Sequence, residues 1–448
     1  LPPVDGSRLY VLPNKKSVME FKPTEYSLLN VVDGHILQDD GWTLSDPAST
    51  SPSMVRAVYK DKKFTADPDQ EGLYRYHNWM PLKRTLKGSC APVTYKSEGL
   101  AATLGLNNLY ITFSGWNPGI GARFGTCSFK ETEAYSVCGR LAPDEKRTLV
   151  VASAGNTARA FASVCSKNNI PLLLSIPYDN INALWFDEPL NSCVRIIASP
   201  AGSDYFDSIA LADKVCTSPD FLAEGGAKNI ARRDGMGTTL LSAVEKIGII
   251  PDFYFQAVGS GTGAIAAWEN NLRLIEDGRF GTRKMRIMAS QNDPFTIMYD
   301  SWTLKQRALV DFPAEKARKA ATAIRAKVLS NRKPPYSLAG GLFDALADTD
   351  GTMYKVYNEE LARWQQEFER TEGYDIYSAA SVAVASLHQA VAAGEVNADD
   401  IIMLNITGGG EKKAKATLAD RIFYAKPHLV LNPDEDADKI ISQVEKLY

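Results

Sequence analysis

Hydrophobic residues in the central part of the chain occur in short continuous runs, each followed by a loop of glycine, serine or asparagine. The runs TLVVAS (148–153) and PLLLSIP (171–177) predict buried strands, and residues 157–167 between them have a helical pattern. This order forms a βαβ unit, which favours a parallel sheet. Similar runs recur as CVRIIAS (193–199), DFYFQAV (252–258), KMRIMAS (284–290) and DIIMLNI (400–406). The pattern predicts an α/β fold, whose ligands lie beyond the carboxyl ends of the strands.

The first 70 residues lack this alternation. They hold short β-prone pieces at 9–12 and 31–32 and a loop-like run at 45–53. We expect an N-terminal extension with short strands.

Composition narrows the possible functions. The chain has 448 residues, 45% of them hydrophobic and 23% charged, as in ordinary globular proteins. Its formal net charge of −3 gives no electrostatic reason to expect a nucleic-acid partner. No apolar run is long enough to span a membrane, and residues 1–16 lack the pattern of a signal peptide.

The metal-binding residue types are also sparse. None of the six cysteines belongs to a C-x-x-C pair, and the four histidines lie far apart in sequence. We therefore expect no metal site, free thiols and a cytoplasmic location.

Three loops that follow predicted strands contain residues suited to ligand binding. In GSGTG (259–263), glycines allow a phosphate to approach the backbone, and the following helix N-terminus favours negative charge. In SAGNTA (153–158), polar side chains could hold a carboxylate or hydroxyl, although Asn156 or Thr157 could simply cap a helix. In NITGGG (405–410), Thr407 could point a hydroxyl into a site. Each loop could also be an ordinary turn.

A fourth segment, GTCSFKETEA (125–134), places Lys130 at the start of a helix-prone run. We call 153–158 the asparagine loop, 259–263 the glycine loop and 405–410 the Thr407 loop. The order of the lysine and these three loops resembles that of fold-type II pyridoxal phosphate (PLP) enzymes of the threonine synthase type. Further segments resemble the cysteate synthases, which are threonine synthase paralogues of coenzyme M biosynthesis in some methanogens. Those resembling threonine synthases are 73–82 and 224–238, and those closer to cysteate synthases are 113–134, 289–302 and 334–346.

The resemblance implies a role for each matching residue. Lys130 would bind PLP covalently and act in catalysis. Asn156 would contact the ring hydroxyl, and Thr407 would face the pyridine nitrogen. The PLP phosphate would be held by Gly259, Ser260, Gly261, Thr262 and Gly263. The substrate carboxylate would be held by Ser153, Gly155 and Thr157. Candidates for binding anionic substrates, or else for surface salt bridges, are Arg123, Lys228, Arg232 and Arg233.

The resemblance also implies a tryptophan synthase β-like fold, with two open twisted α/β domains and the cofactor in the cleft. The expected divisions are an extension (1–82), a large PLP-binding domain (83–140 with 251–448) and a small domain (141–250) that closes over substrate. A homo-oligomer is possible, as in many relatives.

The expected reaction is β-replacement on O-phospho-L-serine, a small anionic substrate, with sulfite as the nucleophile and cysteate as the product. Threonine synthase activity on O-phosphohomoserine is an alternative, but Glu131 and Thr132 replace the Asp-Arg that follows the lysine in those enzymes. A β-replacement enzyme of specialised metabolism with another nucleophile, or a non-enzymatic module that kept the fold, are further alternatives.

Overall fold

The computed structural model describes residues 21–153 and 155–448, so the β-prone piece predicted at 9–12 lies outside the described residues. In these ranges the strands are β1 (Tyr26–Asn30), β2 (Ile36–Leu37), β3 (Val55–Tyr59), β4 (Val93–Lys96), β5 (Asn108–Phe113), β6 (Trp116–Asn117), β7 (Ala122–Arg123), β8 (Thr148–Ala152), β9 (Leu172–Pro177), β10 (Trp185–Phe186), β11 (Val194–Ser199), β12 (Phe221–Ala223), β13 (Phe253–Ala257), β14 (Arg286–Asn292), β15 (Thr352–Val356), β16 (Ile401–Ile406), β17 (Phe423–Tyr424) and β18 (Leu429–Val430).

Helices occupy most of the intervals between the longer strands. They are α1 (Gly99–Leu104), α2 (Lys130–Arg140), α3 (Asn156–Asn168), α4 (Tyr205–Val215), α5 (Ile230–Ile247), α6 (Thr262–Asp277), α7 (Ile297–Thr303), α8 (Ala314–Ala323), α9 (Leu342–Asp348), α10 (Asn358–Glu372), α11 (Ser378–Ala392), α12 (Glu411–Leu418) and α13 (Ala437–Glu445). The α/β class predicted from the hydrophobic runs is confirmed.

The larger sheet has six strands in the order β15-β14-β13-β16-β5-β4, and all neighbours are parallel except β4 and β5. Helices cover both faces, because successive side chains of a strand point to opposite sides. Along β13, Tyr254 packs in the core that includes Leu241 of α5, whereas Phe255 packs in the core that includes Val384 of α11. Double-sided burial explains the continuous hydrophobic runs of the sequence.

The smaller sheet has five parallel strands in the order β12-β8-β9-β11-β18. Along β8, Val151 packs in the core with Phe161 of α3, and Val150 packs with Leu211 of α4 and Val444 of α13. The division at 83–140 with 251–448 and 141–250 stays a prediction. Because β18 and α13 join the smaller sheet, we propose that the segment from 429 to 445 belongs with the smaller domain.

The N-terminal part of the described chain forms a three-stranded antiparallel sheet in the order β2-β1-β3. The strand predicted at 31–32 is wrong, because β1 ends at Asn30 and the chain turns there. The sheet is joined to the larger unit by polar contacts: the Tyr59 hydroxyl donates to Asp234 Oδ2 at 2.5 Å, and Arg56 pairs with Glu269 at 3.3 Å. These contacts tie the extension to α5 and α6.

Candidate active site

Three loops meet at the carboxyl edge of the six-stranded sheet. β16 lies between β13 and β5, so the loops that follow these strands are neighbours. They are the glycine loop after β13, the Thr407 loop after β16 and the approach to Lys130 after β5. This is the edge at which ligands bind in parallel α/β sheets.

The loop before Lys130 is fixed against the Thr407 loop by main-chain contacts. Phe129 N donates to Thr407 O at 2.9 Å, and Gly409 N donates to Cys127 O at 3.0 Å. Gly408 has no room for a side chain, since a Cβ there would lie 2.6 Å from Cys127 O. Thr407 and Lys130 are therefore held in the same part of the site.

Lys130 begins α2, and only 21% of its side chain is exposed. Burial lowers the pKa of Lys130, and the neighbouring Glu133 carboxylate partly opposes this shift. Glu133 Oε2 lies 3.3 Å from Lys130 Nζ. A lowered pKa increases the fraction of neutral amine, the form that can attack a carbonyl carbon.

Glu133 connects Lys130 to the smaller sheet. Its Oε1 accepts a hydrogen bond from Thr157 Oγ1 at 2.8 Å and lies 3.2 Å from Arg232 Nη1. Arg232 also contacts both carboxylate oxygens of Glu224, at 2.8 and 2.5 Å. Glu133 and Glu224 are buried. The sequence pattern predicted neither acidic residue; the local signal for Glu133 is a carboxylate three residues after the lysine, on the same helix face.

The glycine loop has the donors that a phosphate group needs. Gly261 has φ +82°, a conformation that favours glycine, and Thr262 begins the 16-residue helix α6. Ser260 Oγ and Thr262 Oγ1 lie 2.8 Å apart. The first turn of a helix leaves its N–H groups without intrahelical acceptors, so Gly263 and its neighbours can bind an anion.

The asparagine loop faces this edge from the smaller sheet. Ser153 Oγ accepts hydrogen bonds from Gly155 N at 3.2 Å and from Ala158 N at 3.1 Å. Ser153 thus accepts the hydrogen bonds from N–H groups at the start of α3. The alternative in which Asn156 or Thr157 caps this helix is not what the structure shows. Asn156 is the first residue of α3, and it lines a cavity.

The four cations chosen from sequence differ in their surroundings. Arg123 and Lys228 are exposed, and Arg232 joins the Lys130 network. Arg233 is fully buried, with its Nε 2.9 Å from Glu269 Oε2 and its other nitrogens bonded to Ala227 O and Val55 O. Its guanidinium is committed to internal partners, so its assignment as an anion ligand gains no support.

A lysine with a lowered pKa, a glycine loop at a helix N-terminus and a strand-end threonine form a donor set that fits PLP. The model of the pyridoxal-phosphate dependent enzymes matches residues 91–408. The chain belongs to this family. PLP is therefore its cofactor. Within the family, it is similar to curated cysteate synthases.

Cysteate synthase from Methanosarcina acetivorans is 45% identical, covering 87% of this chain and 93% of that protein. Cysteate synthase from Methanospirillum hungatei is 40% identical, covering 91% and 95%. These similarities confirm the resemblance inferred from sequence, and they place the chain in the cysteate synthase group of the family.

Solved structures of PLP-dependent enzymes share the fold at low identity. Maize serine racemase matches with a TM-score of 0.55 and 14% identity, covering 73% of this chain and 91% of that chain. Diaminopropionate ammonia lyase from Escherichia coli matches with a TM-score of 0.55 and 16% identity, covering 75% and 89%. The fold-type II architecture is thus confirmed. Over 21–153 and 155–448, no helix is long and apolar enough to cross a membrane.

Proposed function

We propose that this enzyme converts O-phospho-L-serine and sulfite to L-cysteate and phosphate. The Cβ–O bond to the phosphate group breaks, and a Cβ–S bond to sulfite forms. The supporting observation is a Lys130 amine of lowered pKa at the sheet edge that also carries the glycine loop, in a chain 45% identical to a cysteate synthase. Its partners are thus a small anionic amino acid and a small nucleophile.

Lys130 is the proposed covalent anchor of PLP and the proton carrier of the reaction. Bound PLP supplies an electron sink that acidifies the substrate Cα–H bond. The Lys130 amine would accept the Cα proton of the bound substrate at Nζ. Glu133, 3.3 Å from Nζ, orients the amine and supports its protonated form.

The remaining residues bind and orient. We assign the PLP phosphate to the five residues of the glycine loop, the ring hydroxyl to Asn156 and the pyridine nitrogen to Thr407. Ser153, Gly155 and Thr157 would hold the substrate carboxylate, and the Thr157 hydroxyl is already fixed by Glu133 at 2.8 Å. A hydroxyl at the pyridine nitrogen does not force its protonation as a carboxylate would, which favours prompt loss of the leaving group.

Among the cations predicted from sequence, Arg232 shares the partner Glu133 with Lys130. Its charge is balanced by Glu133 and Glu224, so we assign it to holding this network. Arg123 and Lys228 stay candidates for attracting anionic substrates from solution, because both are exposed.

The cytoplasm is the proposed compartment. All six cysteines are free, including Cys138 and Cys165, whose sulfur atoms lie 3.6 Å apart in the buried core. Thiols at this separation without a disulfide suit a reducing environment.

The test is an assay of the purified, PLP-loaded enzyme with phosphoserine and sulfite. We expect phosphate release and cysteate, identified by mass spectrometry, and a visible cofactor absorbance band that is absent in Lys130→Ala. Threonine from O-phosphohomoserine, with no cysteate, would refute the assignment in favour of a threonine synthase. Phosphate release from phosphoserine without use of sulfite would refute the nucleophile and indicate a different β-replacement reaction.

A further inference from the structure

A cavity of about 270 Å³ lies beside the asparagine loop, where the two sheets face each other. It is bounded by the start of α3, by residues 325–328 in the long connection between β14 and β15, and by the starts of α11 and α12. The side chains that matter for its charge are Arg159, Arg325, Lys327, Lys415 and Glu411. We call it the Asn156 cavity.

The Asn156 cavity carries more positive than negative charge. Among residues 21–153 and 155–448, four cationic side chains and one acidic side chain, Glu411, line it, and Glu411 is paired with Lys415 at 2.6 Å. These lining side chains thus carry three more positive than negative charges. A pocket lined by one sign of charge attracts ions of the opposite sign.

Arg159 is the most deeply buried of the four cations. It is 2% exposed, and its guanidinium donates to main-chain oxygens only: Trp185 O at 2.7 Å, Thr126 O at 2.9 Å and Gly125 O at 3.3 Å. The guanidinium also lies over the Trp185 ring, with its Cζ 3.4 Å from the ring centre. These contacts commit its donors to internal partners, so Arg159 adds positive potential to the adjoining cavity rather than a free donor.

Arg325 and Lys327 are held at the cavity by their surroundings. Arg325 N donates to Asn358 Oδ1 at 2.8 Å and to Asn292 Oδ1 at 3.1 Å, which fixes the backbone and leaves the guanidinium available. Lys327 Nζ donates to Thr322 O and to Ala321 O, carbonyl groups in the last turn of α8. Both side chains belong to exposed residues and can reach an ion without breaking a salt bridge.

The cavity lies next to the proposed cofactor site. The segment that carries these cations also carries Val328, and a Cβ on Gly155 would lie 3.6 Å from Val328 Cγ1. On the other side, a Cβ on Gly259 would lie 3.0 Å from Val328 O. The segment therefore packs between the asparagine loop and the glycine loop.

We propose that the Asn156 cavity binds a small oxyanion through Arg325 and Lys327, with the buried Arg159 adding positive potential, and that this oxyanion is the nucleophile of the reaction. The second half rests on the proposed function, for which the oxyanion is sulfite. The other possible source is the phosphate group of the substrate. We favour the nucleophile because sulfite enters as a separate ion, whereas the phosphate group stays bonded to the substrate until the Cβ–O bond breaks. The cavity volume of about 270 Å³ is large enough for one small oxyanion, because a water molecule occupies about 30 Å³ in the liquid.

The binding test uses sulfate, which resembles sulfite in charge and cannot add to carbon. Calorimetric titration of the PLP-loaded enzyme compares wild type with the double variant Arg325→Gln/Lys327→Gln. The control is Lys319→Gln, which removes a positive charge from exposed α8, where Lys319 pairs with Glu315 at 2.8 Å. We expect the sulfate Kd to rise about 10-fold or more in the double variant and to stay unchanged in the control. Equal sulfate affinity in wild type and double variant, or no sulfate binding by wild type, would overturn the oxyanion site.

Kinetics then identify the source of the oxyanion. For a nucleophile site, the KM for sulfite rises about 10-fold in the double variant, while the KM for phosphoserine and the cofactor absorbance stay as in wild type. A rise confined to the phosphoserine KM would overturn the nucleophile assignment in favour of the substrate phosphate. If no enzyme variant converts phosphoserine, the proposed function fails, and the sulfate titration still decides whether the cavity is an oxyanion site.

Discussion

Replacing Glu133 with glutamine tests the buried network around Lys130. The substitution keeps the shape of the side chain and removes its charge. Glu133 contacts Lys130 Nζ at 3.3 Å, Thr157 Oγ1 at 2.8 Å and Arg232 Nη1 at 3.2 Å. Arg232 keeps Glu224 as a partner, so the variant should fold and isolate the effect on the amine.

The magnitude follows from the loss of one charge-assisted contact to Lys130. A hydrogen bond involving a charged group contributes about 1.5–3 kcal/mol. At about 1.36 kcal/mol per tenfold change in rate, kcat/KM for phosphoserine should fall about 10- to 150-fold. The pKa of Lys130 should also fall below its already lowered value, because burial lowers it and the Glu133 carboxylate is the main group that opposes this shift.

Two measurements check this reasoning. Steady-state kinetics give kcat/KM, and the pH dependence of Lys130 acetylation in the cofactor-free protein, followed by mass spectrometry, gives the direction of the pKa change. The midpoint for acetylation should move to lower pH in Glu133→Gln, while the exposed Glu188→Gln control behaves as wild type. Wild-type kcat/KM together with an unmoved midpoint would refute the role of Glu133.

Three further substitutions test the scaffold. Gly261→Ala should weaken PLP binding by about 1–2 kcal/mol, measured by equilibrium dialysis, because φ is +82°; unchanged affinity would contradict it. Gly235→Ala should destabilise the fold by about 1–3 kcal/mol in urea unfolding, since the new Cβ would lie 2.3 Å from Thr132 O; a wild-type midpoint would count against this packing. Arg233→Met should lower the free energy of unfolding by about 3 kcal/mol in the same assay, because buried Glu269 loses the guanidinium that lies 2.9 Å from it. A loss of activity without destabilisation would instead indicate a role of Arg233 in the site.

The fold class and the position of the cofactor site could be predicted from sequence because their signals are local. A run such as DFYFQAV is buried on both faces, as Tyr254 and Phe255 show by packing on opposite sides of β13. Gly261 adopts a left-handed backbone conformation, which glycine favours over other residue types. The carboxyl ends of the strands in a parallel sheet lie at the same edge. These relations depend on neighbouring residues or on a general property of the fold.

The role of each charge could not be predicted in the same way. Arg232 and Arg233 are adjacent in sequence, yet the first contacts Glu133 in the site and the second pairs with Glu269 in the interior. Successive residues of a helix point in different directions, so their partners depend on what packs against each face.

The sequence by itself thus determined the α/β class, the lysine at a helix start and the glycine loop that fits a phosphate. Only the tertiary structure decided that Glu133 lies beside Lys130, that Arg159 is buried against main-chain oxygens, and that Arg325 and Asn156 line the same cavity. The physical reason is that backbone preferences act between near neighbours, whereas the charge balance of a site is set by residues far apart in the chain.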